Sequence, residues 1–236
     1  MVVEVHDDED TVARAAAATV AAEARAAIAA RGRFVVAVSG GHTPWLMLRA
    51  LVHEDVPWAA VHLVQVDERV APAGDPDRNL THLLESLQEL DSLSPDQIHA
   101  MPVEAPDLEL AAAQYATALN QIAGSPAVLD LVHLGLGPDG HTASLVPGDP
   151  VLAVTDRDVA ITGFYQDRRR MTLTYPIINR ARRVLWLVTG KDKSEMVGRL
   201  LAGDTSIPGG RVQQDRALIL ADLAAADPGY KSAKKE

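Results

Sequence analysis

Two textures alternate along the 236 residues of the chain. One is short and almost continuously apolar: Phe34–Val38 (FVVAV), residues 61–66, residues 129–136 (LDLVHLGL) and residues 184–189. Runs of this length, rich in β-branched residues, read as strands buried on both faces. The other texture is helical. Residues 11–31 are Ala-rich with scattered charges and stop at Gly32, and residues 45–52, 78–90, 108–122 and 191–201 also read as helices. Weaker strand signals fall at residues 98–101, 159–162, 171–175 and 217–220. Strands alternating with helices predict βαβ units, and so one doubly wound, mostly parallel sheet with helices on both faces, a Rossmann-like α/β fold. The Pro/Gly/Asp-rich segments 71–77 and 203–210 read as loops and not as boundaries, so residues 1–236 are expected to form one domain. A charged tail from residue 227 is expected to fray.

Composition narrows the partners. There are 22 Lys+Arg against 32 Asp+Glu, a formal net charge of -10. A nucleic-acid binder needs a basic face, so DNA, RNA and anionic membranes are not expected partners. The absence of Cys excludes a disulfide scaffold and a thiol nucleophile. The first ten residues carry no basic and apolar leader pattern, and no apolar run is long enough to span a bilayer; a cytoplasmic monomer is expected.

In doubly wound sheets, ligands bind beyond the carboxyl ends of the strands. Four strand ends here carry unusual chemistry: SGGHTP at 39–44, DER at 67–69, GLGPDGH at 135–141 and TGKDK at 189–193. In the first, Gly40 and Gly41 let the backbone approach an anion, Pro44 suits a first helical turn, and Ser39 and Thr43 supply hydroxyls. A plain tight turn capped by Thr43 reads equally well from these residues alone. The third loop formally matches G-x-G-x-x-G, but Pro138 stands where backbone should wrap a pyrophosphate, and Pro147-Gly148 leaves too little helix; no dinucleotide cofactor is expected. In the same loop Asp139 and His141 are two residues apart in a glycine-flanked turn, a carboxylate placed to orient an acid–base imidazole. His6, His53, His62, His82 and His99 have no constellation around them. No H-E-x-x-H or Walker pattern occurs, so neither a catalytic metal nor triphosphate hydrolysis is expected. Arg69, the Arg168-Arg169-Arg170 run, Lys191 and Lys193 flank the strand ends; singly they read as solvated charges, together as an anion site in an acidic protein.

The segments VSGGHTP (38–44), VDERVAP (66–72), LGLGPDGHTASLVPG (134–148) and RMTLTYPIINRARRVLWLVTGKDK (170–193) together resemble the 6-phosphogluconolactonase family, over about residues 33–220. The resemblance implies the fold shared with glucosamine-6-phosphate deaminases and a metal-independent, cofactor-free hydrolase of 6-phospho-D-glucono-1,5-lactone in the oxidative pentose phosphate pathway. It further implies His141 as the base that activates water, Asp139 as the acid of the same motif, and Arg69 as the residue that positions substrate or its oxyanion. By the same resemblance Ser39, Gly40, Gly41 and Thr43 form the phosphate turn, Arg170 and Lys193 help hold the phosphate, and Asp67, Asn79 and Gly137 contact substrate. Three positions depart from the pattern. Arg78 replaces a Ser before Asn79, and either adds a ligand contact or faces solvent; His42 occupies the phosphate turn; Val146 stands where Phe is common.

Two rival readings are open. Deaminases of the related type carry Tyr after the Asp-Glu pair and a Glu beyond the His loop. This chain has Arg69 and HTASLVP instead. A non-catalytic sugar-phosphate sensor would add a helix-turn-helix module, for which there is no room before Phe34.

Overall fold

The fold is seen in a computed structural model that describes residues 1–90 and 92–226. The tail read as frayed, 227–236, lies outside the described residues. The elements in chain order are β1 (Val2–His6), α1 (Glu9–Arg31), β2 (Phe34–Val38), α2 (His42–Leu51), β3 (Val61–Gln65), β4 (Asp67–Arg69), α3 (Asn79–Ser86), β5 (Ile98–His99), α4 (Leu108–Ala123), β6 (Leu131–Leu134), β7 (Val159–Ile161), β8 (Arg170–Leu173), α5 (Tyr175–Arg180), β9 (Val184–Val188), α6 (Ser194–Leu201) and β10 (Ala217–Asp222), with short 3₁₀ turns between.

Seven strands form a wholly parallel sheet in the order β1-β10-β9-β6-β2-β3-β5. The chain winds from β2 outward through β3 to β5, then restarts on the other side of β2 with β6, β9 and β10. The switch point therefore lies between β2 and β6, where a doubly wound sheet opens a crevice. Alternation along each buried strand feeds two cores. Phe34, Val36 and Val38 of β2, with Leu185 and Leu187 of β9, pack under α1 and α2. Val35 and Ala37, with Val184, Trp186 and Val188, face α4, α5 and α6. Burial on both sides is what made these strands read as unbroken apolar runs. Helix α1 buries Ala13, Ala16, Ala17, Ala21, Ala24 and Ala27 along one stripe, begins at Asp8, whose carboxylate accepts the Thr11 N–H at 2.8 Å, and stops at Gly32.

A second sheet was not expected. β4, β8 and β7 form a three-stranded antiparallel sheet beside the large one. The apolar run at 61–66 suggested one strand leading into a DER loop; instead the chain changes sheets at Val66. Its N–H bonds to the Val38 carbonyl of the large sheet at 3.0 Å, and its carbonyl accepts the Leu173 N–H of the small sheet at 2.8 Å. Two further elements escaped the reading. Edge strand β1 is only partly buried, so it lacks the apolar continuity of its neighbours. Helix α5 is six residues long and opens on Tyr175-Pro176, too short to show a period. The helix expected at 78–90 covers only Asn79–Ser86. Among the described residues, no helix is long and apolar enough to cross a membrane.

Candidate active site

A cleft of about 350 Å³ opens over the switch point, and all four unusual strand ends line it: Ser39–Pro44, Asp67 and Arg69, Gly135–Pro138 with His141, and Leu187–Thr189 with Lys193. Asn79 completes the wall at the start of α3. Of the twelve predicted site residues, ten line this cleft. Asp139 and Arg170 do not; each stands behind a residue that does.

The turn after β2 is anchored from below. The Ser39 N–H donates to Nδ1 of His133 at 3.2 Å and its hydroxyl donates to the His133 carbonyl at 2.9 Å. His133 is wholly buried, and that burial pushes its imidazole down to about 3, so it stays neutral and accepts. Gly40 has no room for a side chain: a Cβ there would sit 1.9 Å from Oδ1 of Asn79. Pro44 lies in the first turn of α2, which starts at the cleft lining and has no side-chain cap on its leading N–H groups. The Thr43 and Thr189 hydroxyls are 2.7 Å apart and join this turn to the end of β9.

Opposite lies the loop after β6. Oδ1 of Asp139 accepts the His141 N–H at 3.1 Å and pairs with His141 Nδ1 at 2.5 Å. Burial raises the Asp139 carboxyl, but the bonds and charge of His141 outweigh it and hold the group below the usual carboxylate range. Asp139 is therefore ionised at neutral pH, an acceptor for a proton carried on His141 Nδ1. Gly137 makes this arrangement possible. A Cβ there would come 2.1 Å from His141 Nδ1.

The third side is nailed by buried acceptors. Asp67 accepts the Ser144 hydroxyl at 2.6 Å on one oxygen, while Asn79 Nδ2 donates to the Asp67 carbonyl at 2.9 Å. Glu68 is fully buried and accepts from Gln65 Nε2 and from the N–H groups of Arg69, Asn79 and Leu80, each at 2.8 Å, so it caps α3 from the neighbouring strand. Arg78 pairs with it at 3.4 Å and with Glu104 at 3.3 Å. That corrects the expectation for Arg78, which is 3% exposed and neither lines the cleft nor faces solvent. Its buried partner was the missing information.

Arg69 donates to the Asp77 carbonyl at 2.6 Å, and its Nε is buried without a partner. Arg170 lies directly across the β4–β8 ladder from Arg69, donates to Gln166 Oε1 at 2.9 Å, and also has a buried, unpartnered Nε. Burial lowers the Arg170 guanidinium from its ordinary value, Asp67 opposing that shift. Two cations side by side on adjacent strands repel, which favours an anion near them. Lys193 sits at the cleft edge, paired with Asp192 at 3.0 Å. The rest of the basic run turns elsewhere: Arg168 to Asp75 and Asp77, Arg169 towards Glu109.

Sequence reasoning missed several residues that shape this site. His133, Glu68 and Ser144 act through buried hydrogen bonds to partners 94, 11 and 77 positions away, which spacing cannot show. Thr189 was within reach, since it ends a strand beside Gly190. Another correction concerns His62 and His99, which had seemed isolated: they face each other across β3 and β5 at 3.1 Å, and burial lowers both imidazoles from their ordinary value. No group of three or more His, Asp or Glu suited to a metal ion occurs among the described residues.

A parallel sheet with a glycine turn and a carboxylate–imidazole pair at its switch point defines a doubly wound α/β protein with its cleft at the carboxyl ends of the strands. More specifically, the chain belongs to the glucosamine-6-phosphate isomerase/6-phosphogluconolactonase family, whose model matches residues 7–220. It is 36% identical to a 6-phosphogluconolactonase of Streptomyces coelicolor, across 94% of this chain and 92% of that one. The solved 6-phosphogluconolactonase of Thermotoga maritima superimposes with a TM-score of 0.82 at 24% identity, covering 94% of this chain and 98% of that one. A monomeric glucosamine-6-phosphate deaminase superimposes with a TM-score of 0.83 at 20% identity, covering 95% and 98%. The backbone fold thus does not separate the two activities; the side chains in the cleft must.

Proposed function

We propose that the chain hydrolyses 6-phospho-D-glucono-1,5-lactone to 6-phospho-D-gluconate, with a water activated by His141 and with neither metal nor covalent intermediate. The observation that carries the reading is the Asp139–His141 pair set across the cleft from the turn at 39–44. A δ-lactone is an activated ester and needs only a positioned water, a base and a donor for the developing oxyanion. His141 Nε2 takes a proton from water as its oxygen attacks C1. Collapse of the tetrahedral intermediate breaks the ring C–O bond, and the imidazolium returns the proton to the departing oxygen. In this reading Arg69, which lines the cleft, stabilises the oxyanion, and Asp67 and Asn79 position the ring hydroxyls. Ser39, Gly40, Gly41, Thr43 and Lys193 hold the phosphate, whose binding energy orients a distant reacting carbon; Arg170, expected to share that contact, is buried behind Arg69 and adds positive charge without lining the cleft. Arg69 after Asp67-Glu68 and the HTASLVP loop favour lactonase over deaminase, as does the relative at 36% identity. The acidic, Cys-free chain is read as a cytoplasmic monomer acting in the oxidative pentose phosphate pathway.

The test is lactone hydrolysis, the substrate being generated in place by glucose-6-phosphate dehydrogenase. Wild type should turn over, and His141→Ala should lose roughly 10²–10⁴-fold in kcat with binding retained. A variant within a few-fold of wild type removes His141 from the mechanism, and ammonia release from glucosamine 6-phosphate would replace the reading with the deaminase one.

A further inference from the structure

Between β7 and β8 the chain reverses through Tyr165-Gln166-Asp167-Arg168, the Tyr165 N–H bonding the Arg168 carbonyl at 3.0 Å. Gln166 and Asp167 both occupy the left-handed region, at φ 51° and 61°. Such a turn favours Asn-Gly; with Gln-Asp it carries strain, which persists only where the surroundings hold it. Here they do. Arg170 donates to Gln166 Oε1, and Arg168 bonds Asp77 at 2.8 and 3.0 Å and Asp75 at 3.3 Å, tying the hairpin to the loop before α3.

The other side of the hairpin reaches the acid–base pair. The Tyr165 hydroxyl donates to Asp139 Oδ2 at 3.4 Å, and the Tyr165 ring meets His141 edge-on, with centroids 5.6 Å apart and planes at 64°. The Arg170 guanidinium carbon lies 5.0 Å from the centroid of the same ring. Oδ1 of Asp139 is already committed to His141, so Oδ2 is the oxygen whose anchoring decides how freely the carboxylate turns. Burial and the Asp139 charge both raise the Tyr165 phenol, which keeps it a donor.

We infer that Tyr165 is a positioning residue for the Asp139–His141 pair, its ring walling the imidazole and its hydroxyl steadying the second carboxylate oxygen. It does not line the cleft, so it acts on the rate step through its neighbours and not on substrate binding. At 3.4 Å the hydroxyl bond is long, and ring packing carries the larger share. The kinetic side of this inference rests on the lactonase reading; the spectroscopic side does not.

Tyr165→Phe should lower kcat about three- to tenfold with KM within twofold, and Tyr165→Ala by about 30- to 100-fold. Phe164→Ala, on the same hairpin but 78% exposed, should match wild type. Long-range ¹H–¹⁵N spectra, with the His141 signals identified by their loss in His141→Gln, should show a single Nδ1–H tautomer in wild type and a mixture in both Tyr165 variants. Unchanged kcat and unchanged His141 shifts in Tyr165→Phe and Tyr165→Ala overturn the inference. So does a loss confined to KM, or an equal loss in Phe164→Ala, which would make the hairpin and not the side chain responsible. If wild type fails to hydrolyse the lactone but the His141 tautomer still responds to Tyr165→Phe, the activity reading falls and the positioning role stands.

Discussion

The two walls of the cleft are made of different material. Towards β2 and α2 the lining is backbone and hydroxyl: the turn at 39–44, Thr189, and Lys193 at the edge. Towards the small sheet it is ionisable side chains, Asp67, Arg69 and His141 with Asp139 behind it, each held by hydrogen bonds to neighbouring strands or loops. In the proposed reaction the phosphate keeps its charge throughout, so N–H groups at a helix start suffice to hold it. A lactone carbonyl gains and loses charge, so its wall needs groups that titrate and whose orientation is fixed beforehand. Asn79 braces the two, its amide bonded to Asp67 while its oxygen fills the space that a side chain at Gly40 would need.

That division is sharpest where one substitution should disturb one wall alone. The largest effect is expected at Gly137→Ala, whose Cβ would collide with the His141 ring: kcat should fall about 100-fold with KM little changed, measured by lactone turnover. If kcat stays within twofold, the imidazole is less tightly constrained than its geometry implies and the contrast weakens. Next is Lys193→Ala, expected to raise KM about tenfold while sparing kcat, with the gap to wild type narrowing at high salt. A fall in kcat instead would move Lys193 to the reacting wall. A third effect is on stability, is read only as a change with pH, and comes from beneath the glycine turn. His133 is neutral when folded, pushed down to about 3, and takes up a proton on unfolding below its ordinary 6.5. Its contribution is complete above pH 6.5 and is lost as pH falls from there towards 3, amounting to about 2 kcal/mol at pH 5. Thermal midpoints of His133→Leu should therefore depend less on pH between 6.5 and 4 than those of wild type; parallel curves would place the acid sensitivity elsewhere.

Sequence patterns were most informative where burial is symmetrical. β2, β6 and β9 are covered on both faces, so apart from His133 their residues are apolar and the parallel sheet follows. Edge strand β1, with one side open, mixes Glu4 into its apolar residues and hides. The small sheet is harder still, because β4 spells Asp-Glu-Arg, three residues no strand propensity selects; long-range pairing to β8 makes them a strand. The same contrast holds in the site. Residues tied to their partners within a loop, such as Asp139 and His141, could be paired by spacing. Arg78 and Tyr165 could not, since Glu68, Glu104 and Asp139 reach them only through the fold.

Val66, bonded on one side to β2 and on the other to β8, gives the chain a mechanical property beyond its place in either sheet. It is a rivet through two plates, and Asp67, beside it in sequence, lies at the joint. Any slip of the small plate against the large one would be felt first at Asp67, and from there at Ser144 and Asn79. The spacing between the glycine turn and the Asp67–Arg69 strand is thus a matter of assembly tolerance, fixed at the Val66 backbone and braced by the Asn79 side chain.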